Sequence, residues 1–442
     1  MDVENFLITY PILKNLFKGV FKVRKWLFFM VLLIVAGLMF GKVNFASTQM
    51  TPAAEREFML NKLAEFSKKS GIDVEFLNFE YPQLYSRLQA EIRAGKNTLN
   101  LIADLQGNLY IMASEGFLSD LKDLKFEGKT FIETLEKFAY VKGEKVFIPW
   151  LQATYVMAVN KKAFDYLPRG LSKEDVIRGT EKWTYDALLE WAKNIYEKTK
   201  QPLLGFPIGP KGLWHRFLHG YIYPSFTGAQ ALKFDSVRAV EMWNYLKELF
   251  KYVHPASSTW DGMADPLLRE EVWIAWDHTA RLKPAIVEKP NDFVVVPVPR
   301  GPMGRGYIIV LVGLAIPKDA DFEEPAKVID FLTSPEMQVE ILKNVGFFPV
   351  VQEAVGAVPE GALKVLAEGV INQSATKDSI VSFIPSLGPK SGEFTETYRM
   401  AFTRIVFQGE DPAKVVKELG ERIRQLFKES GAELPEPDAS LF

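Results

Sequence analysis

The sequence predicts an α/β protein with at least two lobes, because of the chain length and the order of its apolar patterns. The chain has 442 residues, more than one hydrophobic core usually organises. Between residues 43 and 115 the patterns alternate strand, helix, strand, helix, strand, which is typical of a parallel sheet with crossover helices. Hydrophobic residues make up 48% of the chain and charged residues 24%, so each lobe can bury a core.

The charge and the cysteine count exclude several classes of function. A formal net charge of -2 argues against a general nucleic-acid binder, which needs a basic face to neutralise phosphates. The chain contains no cysteine, which excludes disulfides, thiolate metal sites, a cysteine nucleophile and the lipid-bearing cysteine of many exported bacterial proteins. The chain is also rich in aromatic residues, with 33 Phe, 15 Tyr and 9 Trp, so some can serve a binding site.

A basic segment followed by a short apolar run lies near the N-terminus, the pattern of a secretory signal peptide within residues 1–41. The run, Trp26–Phe40, is shorter than the roughly 20 residues that span a membrane comfortably. We predict cleavage after Gly41 rather than after Ala46, because Val43–Thr48 has the pattern of the first strand of the mature protein. An uncleaved membrane anchor is the alternative.

The first part of the chain supplies the alternating elements. Its predicted strands are Val43–Thr48, Ile72–Phe79 and Leu99–Ala103. Its predicted helices begin after Thr51 and cover Tyr81–Ala94 and Leu109–Glu115. The strand patterns Lys145–Pro149 and Thr154–Asn160 then flank Trp150–Gln152, which we interpret as a passage into a second lobe.

The rest of the chain is richer in helices. We predict strands at Leu203–Ile208, Phe293–Val298 and Ile308–Ile316, and helices at Lys182–Lys198, Ser236–Val253, Glu324–Thr333, Pro335–Val345, Thr395–Val406 and Pro412–Lys428. A loose polar tail, Gly431–Phe442, is expected to end the chain. The glycine-rich turn Gly301–Gly306 precedes a strand and contains a proline, so it is not a phosphate loop.

One stretch, Val272–Leu282, combines a buried strand with a polar end. Val272, Ile274 and Trp276 alternate with Trp273 and Ala275, and four polar side chains follow: Asp277, His278, Thr279 and Arg281. Ligands bind at the carboxyl ends of strands in open α/β sheets. The alternative is a core strand leading into a helix capped by Asp277 or Thr279.

Several stretches in the same order resemble the extracellular solute-binding proteins of ABC importers, in the carbohydrate-binding family that includes maltose-binding protein. The stretches are Tyr81–Gly95, Leu101–Leu121, Val146–Phe164, Lys182–Pro207 and Gly313–Val350. The last contains the most recognisable block, with Phe331–Glu336 (FLTSPE) and Gly346–Pro349 (GFFP).

This resemblance implies two α/β lobes in the periplasmic-binding-protein fold, joined by hinge crossings around an interlobe ligand cleft. It places lobe 1 at residues 42–151 and 309–346, lobe 2 at 152–308 and 347–430, and a polar tail at 431–442. The crossings should fall near Trp150–Ala153, Arg305–Ile309 and Asn344–Pro349, and the lobes should close on ligand by a hinge motion.

A sugar site needs aromatic rings for stacking and hydrogen-bonding groups around the hydroxyl rim. At the positions where the family has its cleft, the candidate ligand-binding residues are Gln49, Asp104, Gln106, Asn108, Trp150, Gln152, Tyr155, Trp214, His215, Trp260, Asp261, Trp276, Asp277, His278 and Arg281. The alternation argument makes Trp276 a better candidate than Trp273, which we expect in the core.

The resemblance implies a binding protein that is not an enzyme and has no cofactor. It would capture a carbohydrate, an oligosaccharide in our interpretation, outside the cytoplasm and deliver it to the permease subunits of an ABC importer, as a monomer. The pair His215 and His219 lacks an evident third ligand, so no metal site is predicted. The alternatives are an exported glycosidase with paired carboxylates, a membrane-tethered binding module, or the same fold with a non-sugar solute such as a polyamine or polyol.

Overall fold

The computed structural model describes residues 41–358, 360–385 and 387–441, so the predicted signal peptide lies outside the described residues except for Gly41. The strands are β1 (Lys42–Ser47), β2 (Asp73–Asn78), β3 (Leu101–Leu105), β4 (Tyr140–Val141), β5 (Glu144–Lys145), β6 (Ile148–Asn160), β7 (Leu204–Gly205), β8 (Ile274–His278), β9 (Phe293–Val296), β10 (Arg305–Ala315) and β11 (Ser379–Ser382).

Helices surround these strands. They are α1 (Ala53–Ser70), α2 (Tyr81–Arg93), α3 (Gln106–Ser114), α4 (Glu133–Glu136), α5 (Lys173–Arg178), α6 (Tyr185–Thr199), α7 (Trp214–Phe217), α8 (Tyr223–Thr227), α9 (Val237–Leu249), α10 (Ala264–Leu268), α11 (Thr279–Glu288), α12 (Glu323–Leu332), α13 (Pro335–Asn344), α14 (Gln352–Gly356), α15 (Ala362–Ser374), α16 (Ser391–Phe402) and α17 (Pro412–Ser430). None of the helices in this part of the chain has the length and apolar content needed to cross a membrane.

The first lobe is built on the predicted parallel strands. Its strand order is β2-β1-β3-β10-β6, in which β1, β2 and β3 are parallel and β10 runs antiparallel to both β3 and β6. Phe45 lies opposite Phe76 on one side and Leu101 on the other, and all three are buried in the core. Because these strands are parallel, their carboxyl ends meet at one edge of the sheet.

Two long strands continue from the first lobe into the second. β6 pairs with β10 from Ile148 to Thr154 and then with β8 and β9, while the first part of β10 pairs with β11. A third segment joins them at Phe348, which exchanges backbone hydrogen bonds with Gln152. Three chain segments therefore lie side by side between the lobes.

The structure shows β6 as one strand of 13 residues, whereas the sequence predicted two pieces around residues 150–152. The register of β6 on β10 shifts between Leu151 and Pro149, so Trp150 is the extra residue of a β-bulge. The bulge interrupts the apolar alternation without interrupting the strand, which is why the pattern looked like a break.

Two buried glutamines hold β6 on either side of the passage. In the first lobe, the Gln338 amide donates to the carbonyls of Trp150 and Leu332 and accepts from the Val350 N–H, each at 3.0 Å. In the second lobe, the Gln373 amide donates to Tyr155 O and Thr154 Oγ1 and accepts from the Val298 N–H. Both side chains are almost fully buried, so they satisfy backbone groups that water does not reach.

The C-terminal segment is docked rather than loose, which corrects the expectation for 431–442. Asp438 is fully buried, and its carboxylate accepts hydrogen bonds from the backbone N–H groups of Gln230 and Ala231 at 2.8 and 2.9 Å. The polar composition suggested a solvated tail. In the sequence alone, a buried aspartate such as Asp438 looks the same as an aspartate on the surface.

Candidate functional site in the interlobe cleft

The polar residues predicted after β1 and β3 meet at the carboxyl edge of the first lobe. Thr48 Oγ1 donates to Asp104 Oδ1 at 2.7 Å, and the Gln49 amide donates to Thr48 Oγ1 at 3.1 Å. The Asn108 amide, one turn into α3, donates to the same Asp104 oxygen at 2.9 Å. We call Thr48, Gln49, Tyr81, Asp104 and Asn108 the first wall.

Asp104 is the buried charge of the first wall. Burial raises the pKa of Asp104 to about 6, against the opposing effect of hydrogen bonds from Thr48, Asn108 and the Leu105 N–H. Its Oδ1 takes all three donors, and its Oδ2 is buried without a partner among the described residues. A carboxylate with one free oxygen is suited to accept hydrogen bonds from a ligand.

Tyr81 belongs to the same wall, although the sequence analysis assigned it only to a helix. It is the first residue of α2, it is half-buried, and burial followed by the Asp104 charge raises the pKa of its hydroxyl above its ordinary value. Its position at the start of a helix that follows a parallel strand is the signal that could have identified it.

The second wall is an aromatic layer at the start of the second lobe, formed by Tyr155, Trp276 and His278. Tyr155 on β6 lies directly opposite His278 on β8. The Tyr155 ring stacks on Trp276 with centroids 5.0 Å apart and planes 7° apart, and His278 meets it edge-on at 4.9 Å. Tyr155 and Trp276 are both buried, and His278 at the end of β8 is the partly exposed member of this aromatic layer.

His278 has a defined protonation state. Its Nδ1 accepts the N–H of Ala280 at 3.2 Å and so caps α11, a role that the sequence analysis gave to Asp277 or Thr279. Burial, followed by the charges of Arg281 and Arg216, lowers the pKa of His278 to about 4. A neutral ring that accepts at Nδ1 carries its proton on Nε2, where it can donate to a ligand.

Asp277 does not join the aromatic face. Successive residues of a strand point to opposite sides, and Asp277 is fully buried on the side away from Trp276, with its Oδ1 on the His278 N–H and its Oδ2 on the Met263 N–H. Burial raises the pKa of Asp277 to about 7. Its two hydrogen bonds to backbone N–H groups join the end of β8 to the loop before α10, which gives Asp277 a structural role.

Three of the predicted tryptophans present no ring face to solvent. Trp276 is enclosed behind Tyr155, and Trp214 packs against Phe206 and Phe217 in the core. The bulge turns Trp150 inward, so that its ring packs on Phe45 in the core. These three candidate ligand-binding residues therefore expose no ring in this structure.

Two further tryptophans of this region, Trp260 and Trp273, are more exposed. Trp260, stacked on His254, is partly exposed, as is Trp273, which we had expected in the core. The alternation of side chains correctly placed Trp273 and Trp276 on opposite faces, but it did not show that the face of Trp276 is the buried one.

A tight loop brings Asp261, His215 and Arg281 together. The Lys211 N–H donates to Asp261 Oδ1 at 2.8 Å, and Arg281 donates to the carbonyls of Lys211 and Asp261. His215 begins the next turn and is nearly buried, and burial lowers its pKa to about 2. A Cβ atom at Gly212 would lie 1.9 Å from the Pro207 carbonyl oxygen, so only glycine permits this loop.

Two predicted residues lie beside the walls rather than in them. The Gln152 amide donates to the Pro349 carbonyl and so joins two of the crossing segments. Gln106 is nearly buried and lines a separate cavity of about 410 Å³ between α3 and the C-terminal segment.

The two walls lie at two points along β10. Asp104 pairs with Gly313, and Thr154, next to Tyr155, pairs with Ile309. Four residues of strand separate these points, about 13 Å. Burial raises the pKa of Glu55 on α1 and lowers that of Lys283 on α11, and each charge opposes the other's shift, so these residues of different lobes lie near each other.

The described ranges contain no group of three or more His, Cys, Asp or Glu side chains that could hold a metal ion. The rings of His215 and His219 lie 6.2 Å apart, and the His219 ring contacts Phe394 and Tyr398. Burial and the neighbouring Arg216 charge keep the pKa of His219 well below its ordinary value.

Fold and site together define a two-lobed binding protein with a ligand cleft between its lobes. The sequence matches the family of bacterial extracellular solute-binding proteins over residues 51–339, more than half of the chain, and the protein belongs to that family. This confirms the resemblance on which the predicted fold was based. Curated proteins give no significant match to the sequence.

Solved structures share the fold at low sequence identity. The GacH receptor of Streptomyces glaucescens, solved unliganded and with acarbose, has a TM-score of 0.63 at 15% identity, covering 88% of this chain and 99% of its own. The sugar-binding protein MalE of Xanthomonas citri has a TM-score of 0.67 at 15% identity, covering 88% and 98%. UgpB of Mycobacterium tuberculosis, in complex with glycerophosphocholine, has a TM-score of 0.61 at 17% identity, covering 88% and 99%.

Proposed function

We propose that this protein is the substrate-binding component of an ABC importer, and that it binds a carbohydrate, specifically an oligosaccharide. The observation that carries the proposal is that the hydrogen-bonding first wall and the aromatic layer of Tyr155, Trp276 and His278 lie at two nearby points of the same crossing strands. Stacking on the apolar ring faces and hydrogen bonds to the hydroxyl rim are the two requirements of a sugar site. The sugar-binding names of GacH and MalE support this reading.

In this proposal the protein performs no chemistry. It captures its ligand outside the cytoplasm, after export by the N-terminal signal, and passes it to the permease subunits as a monomer. We place the lobe boundaries at 151/152, 308/309 and 346/347, where the three crossing segments lie side by side, and the lobes close around the ligand by a hinge motion there. The absence of cysteine leaves no residue for lipid attachment.

A melting-temperature screen tests the proposal. A ligand that binds only the folded protein stabilises it by about 2.7 kcal/mol at a concentration of 100 times its Kd. We expect one or more oligosaccharides to raise the melting temperature of the full-length protein. Tyr155→Ala should weaken that binding by at least about tenfold, whereas Tyr140→Ala, at a ring that is 44% exposed on the first lobe, should not.

Two results would contradict the proposal. A melting temperature that no saccharide changes, across a panel of neutral and acidic saccharides, would exclude carbohydrate binding. Release of shorter products from an incubated oligosaccharide would favour the glycosidase alternative.

A further inference from the structure

Two guanidinium groups from different elements bond to one loop of the second lobe, and a third arginine, Arg216, follows that loop directly in the sequence. Arg281 of α11 donates to the carbonyl of Lys211, and Arg399 of α16 donates to the next carbonyl, Gly212, at 2.7 Å. Arg216 follows on α7, where its backbone N–H donates to the Leu213 carbonyl at 2.8 Å. We call Arg216, Arg281 and Arg399 the arginine cluster.

The cluster is not neutralised by ion pairs. Within residues 41–358, 360–385 and 387–441, no carboxylate oxygen lies within 4.0 Å of a guanidinium nitrogen of these three residues. The carboxylates in the neighbourhood, Asp261 and Asp277, are held by backbone N–H groups instead. Arg404 and Arg424, by contrast, form close pairs with carboxylates.

Arg216 has the fewest hydrogen-bond partners of the three arginines. Its side chain is mostly buried, its Nε is fully buried without a partner, and its guanidinium donates to no described residue. A planar guanidinium with five unused donors is suited to bind a carboxylate or phosphate in a bidentate manner.

The cluster borders the proposed sugar site. The charges of Arg216 and Arg281 both act on Tyr155 and on His278, and those of all three arginines act on His215. Trp260, which is partly exposed, adjoins the same loop through the hydrogen bond from the Gly209 N–H to its carbonyl. An anionic group on the cluster would therefore place an attached sugar ring beside the aromatic layer.

We propose that the ligand is a saccharide with an anionic substituent, a carboxylate or a phosphate, and that Arg216, Arg281 and Arg399 bind this substituent. This inference rests on the proposed carbohydrate function and specifies its substrate class. It disfavours a polyamine, which would bring further positive charge to three unpaired guanidinium groups.

Matched ligands test the inference on the full-length protein. Digalacturonate is compared with galactobiose, its neutral counterpart of the same linkage, and glucose 6-phosphate with glucose. We expect at least one acidic ligand to bind ten times or more tighter than its neutral counterpart, with affinity that falls as salt is raised from 0.05 to 0.5 M. The first pair reports a carboxylate substituent and the second a phosphate.

Variants then assign the selectivity to the cluster. Arg216→Gln should remove at least tenfold of the preference for the acidic ligand, and Arg216→Lys, which keeps the charge but not the planar fork, should retain part of it. Arg238→Gln, at an exposed arginine paired with Glu241 on the second lobe, is the matched control and should leave the preference unchanged.

Each outcome has a defined meaning. Tighter binding of neutral than of acidic sugars would overturn the inference and leave the carbohydrate proposal standing. Acidic binding that survives Arg216→Gln unchanged would also overturn it. Failure of all four sugars to bind would overturn the inference and count against the carbohydrate proposal as well. The wild-type comparison decides the inference even if a variant does not fold.

Discussion

The buried Gln338 amide offers the sharpest test of how the crossing strands are held. Gln338→Met keeps the length and approximate volume of the side chain but removes its donor and acceptor. The substitution leaves the Trp150 carbonyl, the Leu332 carbonyl and the Val350 N–H without this partner. A buried polar group that loses its hydrogen bond costs about 1–3 kcal/mol, so we expect the free energy of unfolding to fall by about 3–6 kcal/mol.

The bulge at Trp150 makes this loss specific. Its carbonyl lies at the point where the β6–β10 register shifts, so the ladder cannot replace the lost bond. Two measurements check the prediction: urea unfolding followed by circular dichroism, and hydrogen exchange at the Val350 amide, which should accelerate. The second is needed because a two-lobed protein need not unfold in one step.

Gln201→Met, at an exposed position, is the matched control and should change stability by no more than about 0.5 kcal/mol. The reasoning is refuted if Gln338→Met costs less than about 1 kcal/mol and the Val350 amide exchanges at the wild-type rate.

Three further predictions follow from particular contacts. The pKa of His278 is about 4 in the folded protein and near 6.5 in the unfolded chain, so the stability that the neutral ring contributes at pH 7 is lost as pH falls. His278→Asn can still cap α11 and should reduce the loss of stability between pH 7 and 5 by about 2 kcal/mol, measured by urea unfolding. Gly313→Ala would place a Cβ atom 2.4 Å from the Phe147 ring and should cost about 1–3 kcal/mol in thermal unfolding; an unchanged midpoint would show that Phe147 yields freely. Asp438→Ala removes the acceptor of two buried N–H groups and should expose the C-terminal segment to limited proteolysis, detected as a shortened chain by mass spectrometry, whereas equal cleavage of wild type and variant would contradict the anchoring role.

The sequence by itself determined the alternating elements from β1 to α3 and their order. The alternation of apolar residues in Val43–Thr48 and Leu99–Ala103 depends on local geometry, so it placed β1 and β3 to within two residues. The polar residues after those strands could be assigned to one edge because parallel strands end together, and Asp104 and Asn108 do meet there. The family resemblance placed the passages between lobes near segments that lie side by side in the structure.

Only the tertiary structure decided which of the candidate side chains are buried. In the sequence, Trp150 and Trp214 are as compatible with an exposed stacking ring as any other tryptophan. A β-bulge turns Trp150 into the core, and aromatic neighbours enclose Trp214. Arg281 and Arg399 bond to the loop before Arg216 across 70 and 187 positions of the sequence, so no local pattern could have revealed this arrangement. Burial and unpaired charge are properties of the packed chain, because they depend on which distant segments come to lie around a residue.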